Sequence, residues 1–365
     1  MFCLGNAAKY AISCAKVTAA GLIVLLNGVI MTIVSGALAA GGIVLAQRFS
    51  SRFGLLQSPN ARSSHAKPTP TGGGVGIVVG GSVAALIVAV VPASWPLLLI
   101  VLASLAVAGL GLWDDVRPLA PAIRLAIQIA IVAATLGAAV PLPALGQQLG
   151  LPIALPVLFL LVGVAAVYWV NLYNFMDGID GLAASQAVFL LAAPLGLALS
   201  GVPDVVGQPV FWWILALAAA CLVFLAFNWQ PAKIFMGDVG STYLGFMIAV
   251  FALLTIAQGW LSIWQWLILV ACFLTDGSMT LLRRGFRGEP VFQAHRRHAY
   301  QTLSRRLGSH QKVVLIVAAI NVVALLPLAV VLNANPSLGP ALTLLAYVPL
   351  IGLTLWAGAG RPEHA

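Results

Sequence analysis

A chain of 365 residues with 61% apolar and only 7% charged side chains, at a mean hydropathy of +1.05, cannot carry an ordinary soluble surface. In soluble domains about a quarter of residues are charged, whereas this length leaves room for many membrane crossings of about 20 residues each. Eighteen Lys and Arg against nine acids give a net charge of +9, which reads as basic loops on one side of a membrane and not as a nucleic-acid footprint.

Apolar runs cut by Pro, Gly and charge predict an all-α, polytopic transmembrane bundle of ten to eleven helices. The predicted spans are 20–47, 73–91, 96–112, 122–140, 152–170, 182–200, 210–228, 241–257, 261–282, 312–333 and 339–358. A membrane β-barrel is excluded, because its strands would alternate apolar and polar and these runs do not. Arg48, Arg52, Arg62, Lys67, Arg117, Arg124, Lys233 and the Arg-rich segment 283–311 all fall in or beside odd-numbered loops, and the even loops hold no Lys or Arg. The odd side is therefore expected to be cytoplasmic. Lys9 and Lys16 run against that rule, so residues 1–30 are left as an N-terminal extension or part of the first span. Residues 31–358 are expected to form one transmembrane domain and 359–365 a cytoplasmic tail. The four cysteines, Cys3, Cys14, Cys221 and Cys272, lack metal-ligand spacing and read as packing residues.

The acids are few enough to name: Asp114, Asp115, Asp177, Asp180, Asp204, Asp238, Asp276, Glu289 and Glu363. Ionised groups near hydrocarbon cost several kcal/mol and tend to mark function. In chain order, the first polar cluster is the basic segment 58–74, with Arg62, His65 and Lys67 before Gly72-Gly73-Gly74. The glycines are expected to let the backbone approach a ligand, with helix-start N–H groups facing phosphate. Asp114-Asp115 follow an apolar run; adjacent helical carboxylates diverge by about 100° and should serve separate partners. An anion at a helix C-terminus is also unfavourably placed. Next, Asn171, Asn174, Asp177 and Asp180 recur every third residue, which would stack them on one helix face. Their oxygens suit a hard cation such as Mg²⁺. Asp238, between Gly237 and Val239-Gly240, is placed at a helix start to hold Mg²⁺, with Lys233 just before it; a plain N-cap role is the simpler alternative. Asp276 lies about two helical turns inside the membrane from Arg283 and is expected to pair with an Arg of its own loop. His295-Arg296-Arg297-His298 has the character of a diphosphate clamp. Asp204 stands alone in an even loop and reads as solvated.

Taken together, Ser-Ser-His-Ala-Lys-Pro-Thr-Pro-Thr-Gly-Gly-Gly, Trp-Asp-Asp, Asn-Leu-Tyr-Asn-Phe-Met-Asp-Gly-Ile-Asp-Gly, Phe-Met-Gly-Asp-Val-Gly-Ser and the late His/Arg loop form a recognisable series. Over residues 31–310 the chain resembles the polyprenyl-phosphate N-acetylhexosamine-1-phosphate transferases of glycosyltransferase family 4, and among them the bacterial O-antigen initiating enzymes. The resemblance implies a UDP-N-acetylhexosamine donor, undecaprenyl phosphate as acceptor and release of UMP. It also implies Mg²⁺, with Mn²⁺ able to stand in, and a cytoplasmic-face site in a bacterial inner membrane; a homodimer is left open. Carried over residue by residue, it gives catalytic roles to Asp114, Asp115, Asp177 and His298 and metal binding to Asp238 and Asn174. Asp276 matches a membrane Asp before a basic pair and is expected to bind substrate, and the clusters described above add Arg62, His65, Lys67, Asn171, Asp180, Lys233, His295, Arg296 and Arg297 as substrate-binding candidates. The late loop departs from the His-x-His-His pattern of many members, since only His298 fits and Ala299-Tyr300-Gln301 follow it. That departure argues against a muramoyl-pentapeptide donor. The rival expectation, a secondary transporter of an anionic solute, would place ionisable groups near the midplane of repeated halves; here they gather at one face and no repeat is visible.

Overall fold

The computed structural model describes residues 2–52, 54–57, 68–90, 93–150, 152–289 and 295–362, with side chains from Gly21 onward. Arg62, His65 and Lys67, expected to bind substrate, lie outside the described residues.

The chain is helical nearly throughout. In order, α1 spans Phe2–Phe49, α2 Gly74–Val90, α3 Trp95–Val116, α4 Pro121–Ala138, α5 Leu142–Leu149, α6 Leu155–Phe175, α7 Leu182–Gly201 and α8 Pro209–Asn228. Then come α9 at Asp238–Ala257, α10 at Ile263–Leu269, α11 at Ala271–Gly285, α12 at Ala299–Leu307, α13 at His310–Ala319, α14 at Leu326–Ala334 and α15 at Gly339–Ala357. A two-residue antiparallel pair, Leu56–Gln57 with Thr69–Pro70, joins α1 to α2. Proline sits in the first turn of α3, α4, α6, α8 and α15, where its fixed φ favours helix and its missing N–H costs nothing.

Among the described residues, nine helices are long and apolar enough to cross a membrane, and α10 with α11 makes a tenth if taken as one bent span. The remaining predicted span, 73–91, corresponds to the shorter apolar helix Gly74–Val90. Two features of those spans differ from the expectation. The span at 261–282 is broken, with α10 and α11 meeting at 71°; a capping box between Ser262 and Gln265 starts α10. The span at 312–333 runs from His310 to Ala334 through one π turn, Ile320–Leu325, where Asn321 donates to Gln186 Oε1 of α7 at 2.6 Å. Helices α5 and α12, absent from the predicted spans, are too short to cross.

Helix α9 is the most enclosed of the long helices. Its first turn gathers the ends of its neighbours. The last turns of α3 and α6 and the first turn of α4 reach it through Asp115, Asn174 and Arg124. The start of α2 meets the segment just before it, with Gly73 N and Gly74 N donating to the Phe235 and Met236 carbonyls, both at 2.9 Å. A Cβ on Gly74 would come within 2.3 Å of the Gly240 Cα. The glycines therefore serve chain-to-chain approach: the N–H groups of Gly73 and Gly74 are spent on carbonyls, a correction to the expectation that they face phosphate. One end of the bundle thus collects the polar ends of the helices.

Candidate active site

Gly237 precedes α9 with φ +76°, and a Cβ there would lie 2.6 Å from Asp115 Oδ2. Both the backbone conformation and the space require glycine. Asp115 Oδ1 accepts from Asp238 N at 2.8 Å and Oδ2 from Val239 N at 3.0 Å. An acid at the unfavourable C-terminal end of α3 is thereby seated on the favourable N-terminal end of α9, satisfying two of its orphan N–H groups. The adjacent Asp114 does have separate partners: Oδ1 accepts from Leu119 N at 2.6 Å and Oδ2 from the Arg124 guanidinium.

Asp238, the first residue of α9, is held from two sides. Asn174 Nδ2 donates to Oδ1 at 2.9 Å and Arg124 Nη1 to Oδ2 at 3.0 Å. The same Asn174 nitrogen lies 2.8 Å from Ser241 Oγ. Asn174 thus turns its amide nitrogen toward Asp238 and orients the carboxylate. Each carboxylate oxygen carries two lone pairs, so both remain able to accept a further ligand. Arg124 bridges Asp114 and Asp238, a role beyond the loop charge expected of it. Its signal was available: a cation in the first turn of a helix is misplaced against the dipole unless an acid answers it.

Helix α6 ends at Phe175, so Asn171 and Asn174 share the helix while Asp177 and Asp180 lie in the turn beyond it. The expected single face of four polar residues is therefore split in two. Asn171 Nδ2 donates to Gln128 Oε1 at 2.7 Å and to the Val167 carbonyl at 2.9 Å. Asp177 is half-buried, and desolvation, followed by the negative charges of Asp238, Asp115 and Asp180, pushes its carboxyl up to about 8. Asp180 faces elsewhere: Oδ2 accepts from Ala232 N at 3.1 Å and Oδ1 lies 3.4 Å from His310 Nδ1. Lys233 is exposed, and its carbonyl accepts from Gln47 Nε2 at 3.2 Å.

In the late loop, the expected Arg partner of Asp276 is replaced by a helix end. Asp276 Oδ1 accepts from Ala299 N at 2.8 Å and Oδ2 from Tyr300 N at 2.9 Å, so that a buried acid of α11 caps α12. Two amide N–H groups answer the buried charge as an arginine would, without bringing in a second ion to desolvate. His298, buried, lies with Nδ1 3.4 Å from Asp276 Oδ1 and stacks between His295 and Tyr300. Burial and the neighbouring His298, Arg284 and Arg297 hold His295 down to about 3, so it is neutral at physiological pH. Arg297 and Arg284 share Glu289 Oε2, while the Arg296 carbonyl accepts from Arg305 Nη2 at 3.0 Å.

A largely apolar groove of about 1330 Å³ runs between α4, α6 and α11, with Leu125, Tyr168, Leu282 and Phe286 along it and Arg124 and Asn171 among its few polar liners. Its guanidinium is the one that reaches Asp238. For a divalent ion, the chemistry of the donors fits Mg²⁺. Asp177 and Asp238 are hard oxygen donors in a locally negative site, and Mg²⁺ binds through one or two carboxylates plus substrate phosphates. Consistent with so open a site, no group of three or more His, Cys, Asp or Glu converges as a protein-only metal cage among the described residues.

A model of the family described as glycosyl transferase family 4 matches residues 97–256. A decaprenyl-phosphate N-acetylglucosaminephosphotransferase of Mycobacterium tuberculosis is 32% identical over 301 residues, covering 73% of each chain. A probable undecaprenyl-phosphate N-acetylglucosaminyl 1-phosphate transferase of Bacillus subtilis is 28% identical over 283 residues, covering 75% of this chain and 76% of its own. A phospho-N-acetylmuramoyl-pentapeptide-transferase of Moorella thermoacetica is 35% identical over 219 residues, covering 55% of this chain and 66% of its own.

Proposed function

The chain belongs to glycosyl transferase family 4, and on that premise we propose that it transfers N-acetylhexosamine-1-phosphate from a UDP-sugar to undecaprenyl phosphate, releasing UMP. The observation that carries this reading is the apolar groove lined by Arg124, whose guanidinium holds Asp238, while Asn174, three residues before Asp177, holds the same carboxylate from the other side. A polyprenyl tail needs an apolar channel open to lipid, and its phosphate needs a cation where the channel ends. Arg124 supplies that cation and already bridges the acids that border the reacting groups.

The obstacle to the reaction is anion meeting anion, so the protein's task is placement and neutralisation. An acceptor phosphate beside Arg124 carries close to two negative charges at neutral pH and needs no strong base. Its oxygen attacks the sugar-bearing phosphorus of the donor in line, and the bond from that phosphorus to the UMP oxygen breaks. Mg²⁺ held by Asp177 and Asp238 would neutralise the donor diphosphate and the departing UMP. Asn174 fixes the Asp238 carboxylate, and Asp115 fixes the backbone that carries it. His295, being neutral, contributes hydrogen bonds and no charge.

The Lys and Arg bias supports a cytoplasmic site in a bacterial inner membrane, with the product initiating O-antigen or another envelope polysaccharide. Incubating the purified protein in nanodiscs with undecaprenyl phosphate, Mg²⁺ and a panel of UDP-N-acetylhexosamines tests the reading. UMP formed in equal amount with a lipid-linked sugar phosphate is expected; no UMP from any donor would end the proposal.

A further inference from the structure

Helix α12 is short and polar, and its sequence alone would not hold it in place. What holds it is Asp276, whose two oxygens take the N–H groups of Ala299 and Tyr300. So anchored, α12 inserts a fully enclosed tyrosine into the neighbouring turn: Tyr300 is 2% exposed, and its hydroxyl donates to the Phe175 carbonyl at 3.0 Å. Phe175 is the last residue of α6, and its carbonyl is one of the acceptors a helix end leaves without an internal partner. Asn174, which orients Asp238, precedes it directly, and Asp177 follows two residues later. The far side of this turn is shaped to the same hydroxyl. A Cβ on Gly178 would lie 2.1 Å from Tyr300 Oη and 3.0 Å from Gln301 Nε2, and the Gly178 φ is not positive, so these side chains, the tyrosine hydroxyl foremost, and not the backbone conformation demand glycine there.

We propose that Tyr300 is a positioning residue for the transfer reaction: its hydroxyl, docked through Asp276 and α12, fixes the turn that presents Asn174 and Asp177. Phenylalanine would fill the same space without the hydrogen bond, so the hydroxyl is what sets the turn. The path runs from one carboxylate to another through named bonds: Asp276 to the Tyr300 backbone, Tyr300 Oη to the Phe175 carbonyl, and then along the chain to Asp177.

The proposal rests on the transferase reading for its assay, and three variants test it. Tyr300→Phe keeps the ring and should lower kcat by about tenfold, the rate equivalent of one buried hydrogen bond. The KM for donor and acceptor should stay within about twofold, because a turn displaced from the reacting groups loses transition-state stabilisation and not uniform binding. The melting temperature should fall by a few degrees at most, since the same bond also contributes to stability, while the enzyme stays folded at the assay temperature. Gly178→Ala should lose roughly a hundredfold or more, since the new methyl pushes on the hydroxyl and on the turn together. The double variant should recover most of that loss, because the atom at 2.1 Å is gone and only the tight contacts with Gln301 Nε2 at 3.0 Å and Tyr300 Cζ at 3.1 Å remain. A Tyr300→Phe enzyme with wild-type kcat overturns the proposal, as does a double variant whose loss equals the product of the two single losses. If Gly178→Ala yields no folded protein, recovery of folded yield in the double variant supports the proposal and continued absence overturns it. An inactive wild type would instead count against the transferase reading itself.

Discussion

Replacing Asp115 by Asn decides whether that carboxylate acts on substrate or on the protein. Its two oxygens accept from Asp238 N at 2.8 Å and Val239 N at 3.0 Å. Asparagine offers one acceptor oxygen and turns its NH₂ toward the other N–H, so one charge-assisted bond is lost and a donor is left facing a donor. Such a bond contributes about 1.5–3 kcal/mol. The lost anion at the α9 dipole adds about 0.3–1 kcal/mol, more where the site is enclosed. The sum is about 2–4 kcal/mol, for a drop in melting temperature on the order of 5 °C. The assay is thermal unfolding of the purified protein by tryptophan fluorescence, run beside Asp204→Asn, an acid distant from the site whose loss should leave melting unchanged. Turnover should fall along with stability, because Asp238 rides on the same turn. If Asp115→Asn melts like the wild type and still loses turnover, the carboxylate serves the chemistry directly and the capping argument is wrong.

Two further outcomes follow from the same geometry. Asp177→Asn should lose most of the thermal stabilisation that Mg²⁺ gives the wild type; at a hundredfold excess over Kd a bound ligand contributes about 2.7 kcal/mol, and an equal Mg²⁺-dependent shift in both proteins would remove Asp177 from the metal site. His295 titrates near 3 when folded against an ordinary 6.5, so the unfolded chain binds the proton more tightly. The stability tied to its neutral form is present above pH 6.5 and is lost as pH falls toward 3. His295→Gln should flatten the fall in melting temperature across that window, and an unchanged profile would show that burial does not hold the imidazole neutral.

The helical bundle was legible because apolar runs of span length admit few other readings, and lipid-facing helices need no distant partner to be recognised. Breaks and short helices were not legible in this way: the break at Val270 is flanked by no Pro or Gly that would announce it, and the helix Ala299–Leu307 depends on an acid 23 residues away. Scarcity singled out the acids, and Asp114-Asp115 placed against the dipole at the end of α3 pointed to a need for partners; the matching misplacement of Arg124 at the start of α4 shows only once the helix is drawn. Which partner each acid takes was hidden, because it comes from a distant stretch. Asp115 finds a backbone 123 residues on, and Asp276 finds amide groups where an arginine was expected. The triple glycine was legible as a demand for close approach; that the approach is to residues 235–240 and not to phosphate is a fact of packing.

The proposed transfer requires Asp177 and Asp238 to hold one divalent ion against the donor diphosphate. Electron paramagnetic resonance of Mn²⁺ bound to the purified protein, with phosphorus hyperfine coupling measured on adding UDP-N-acetylglucosamine, tests this most directly. One bound ion that couples to donor phosphorus in the wild type, and is lost in Asp238→Asn, is the result expected. An ion bound equally well by Asp238→Asn, or one that never senses phosphorus, would contradict it.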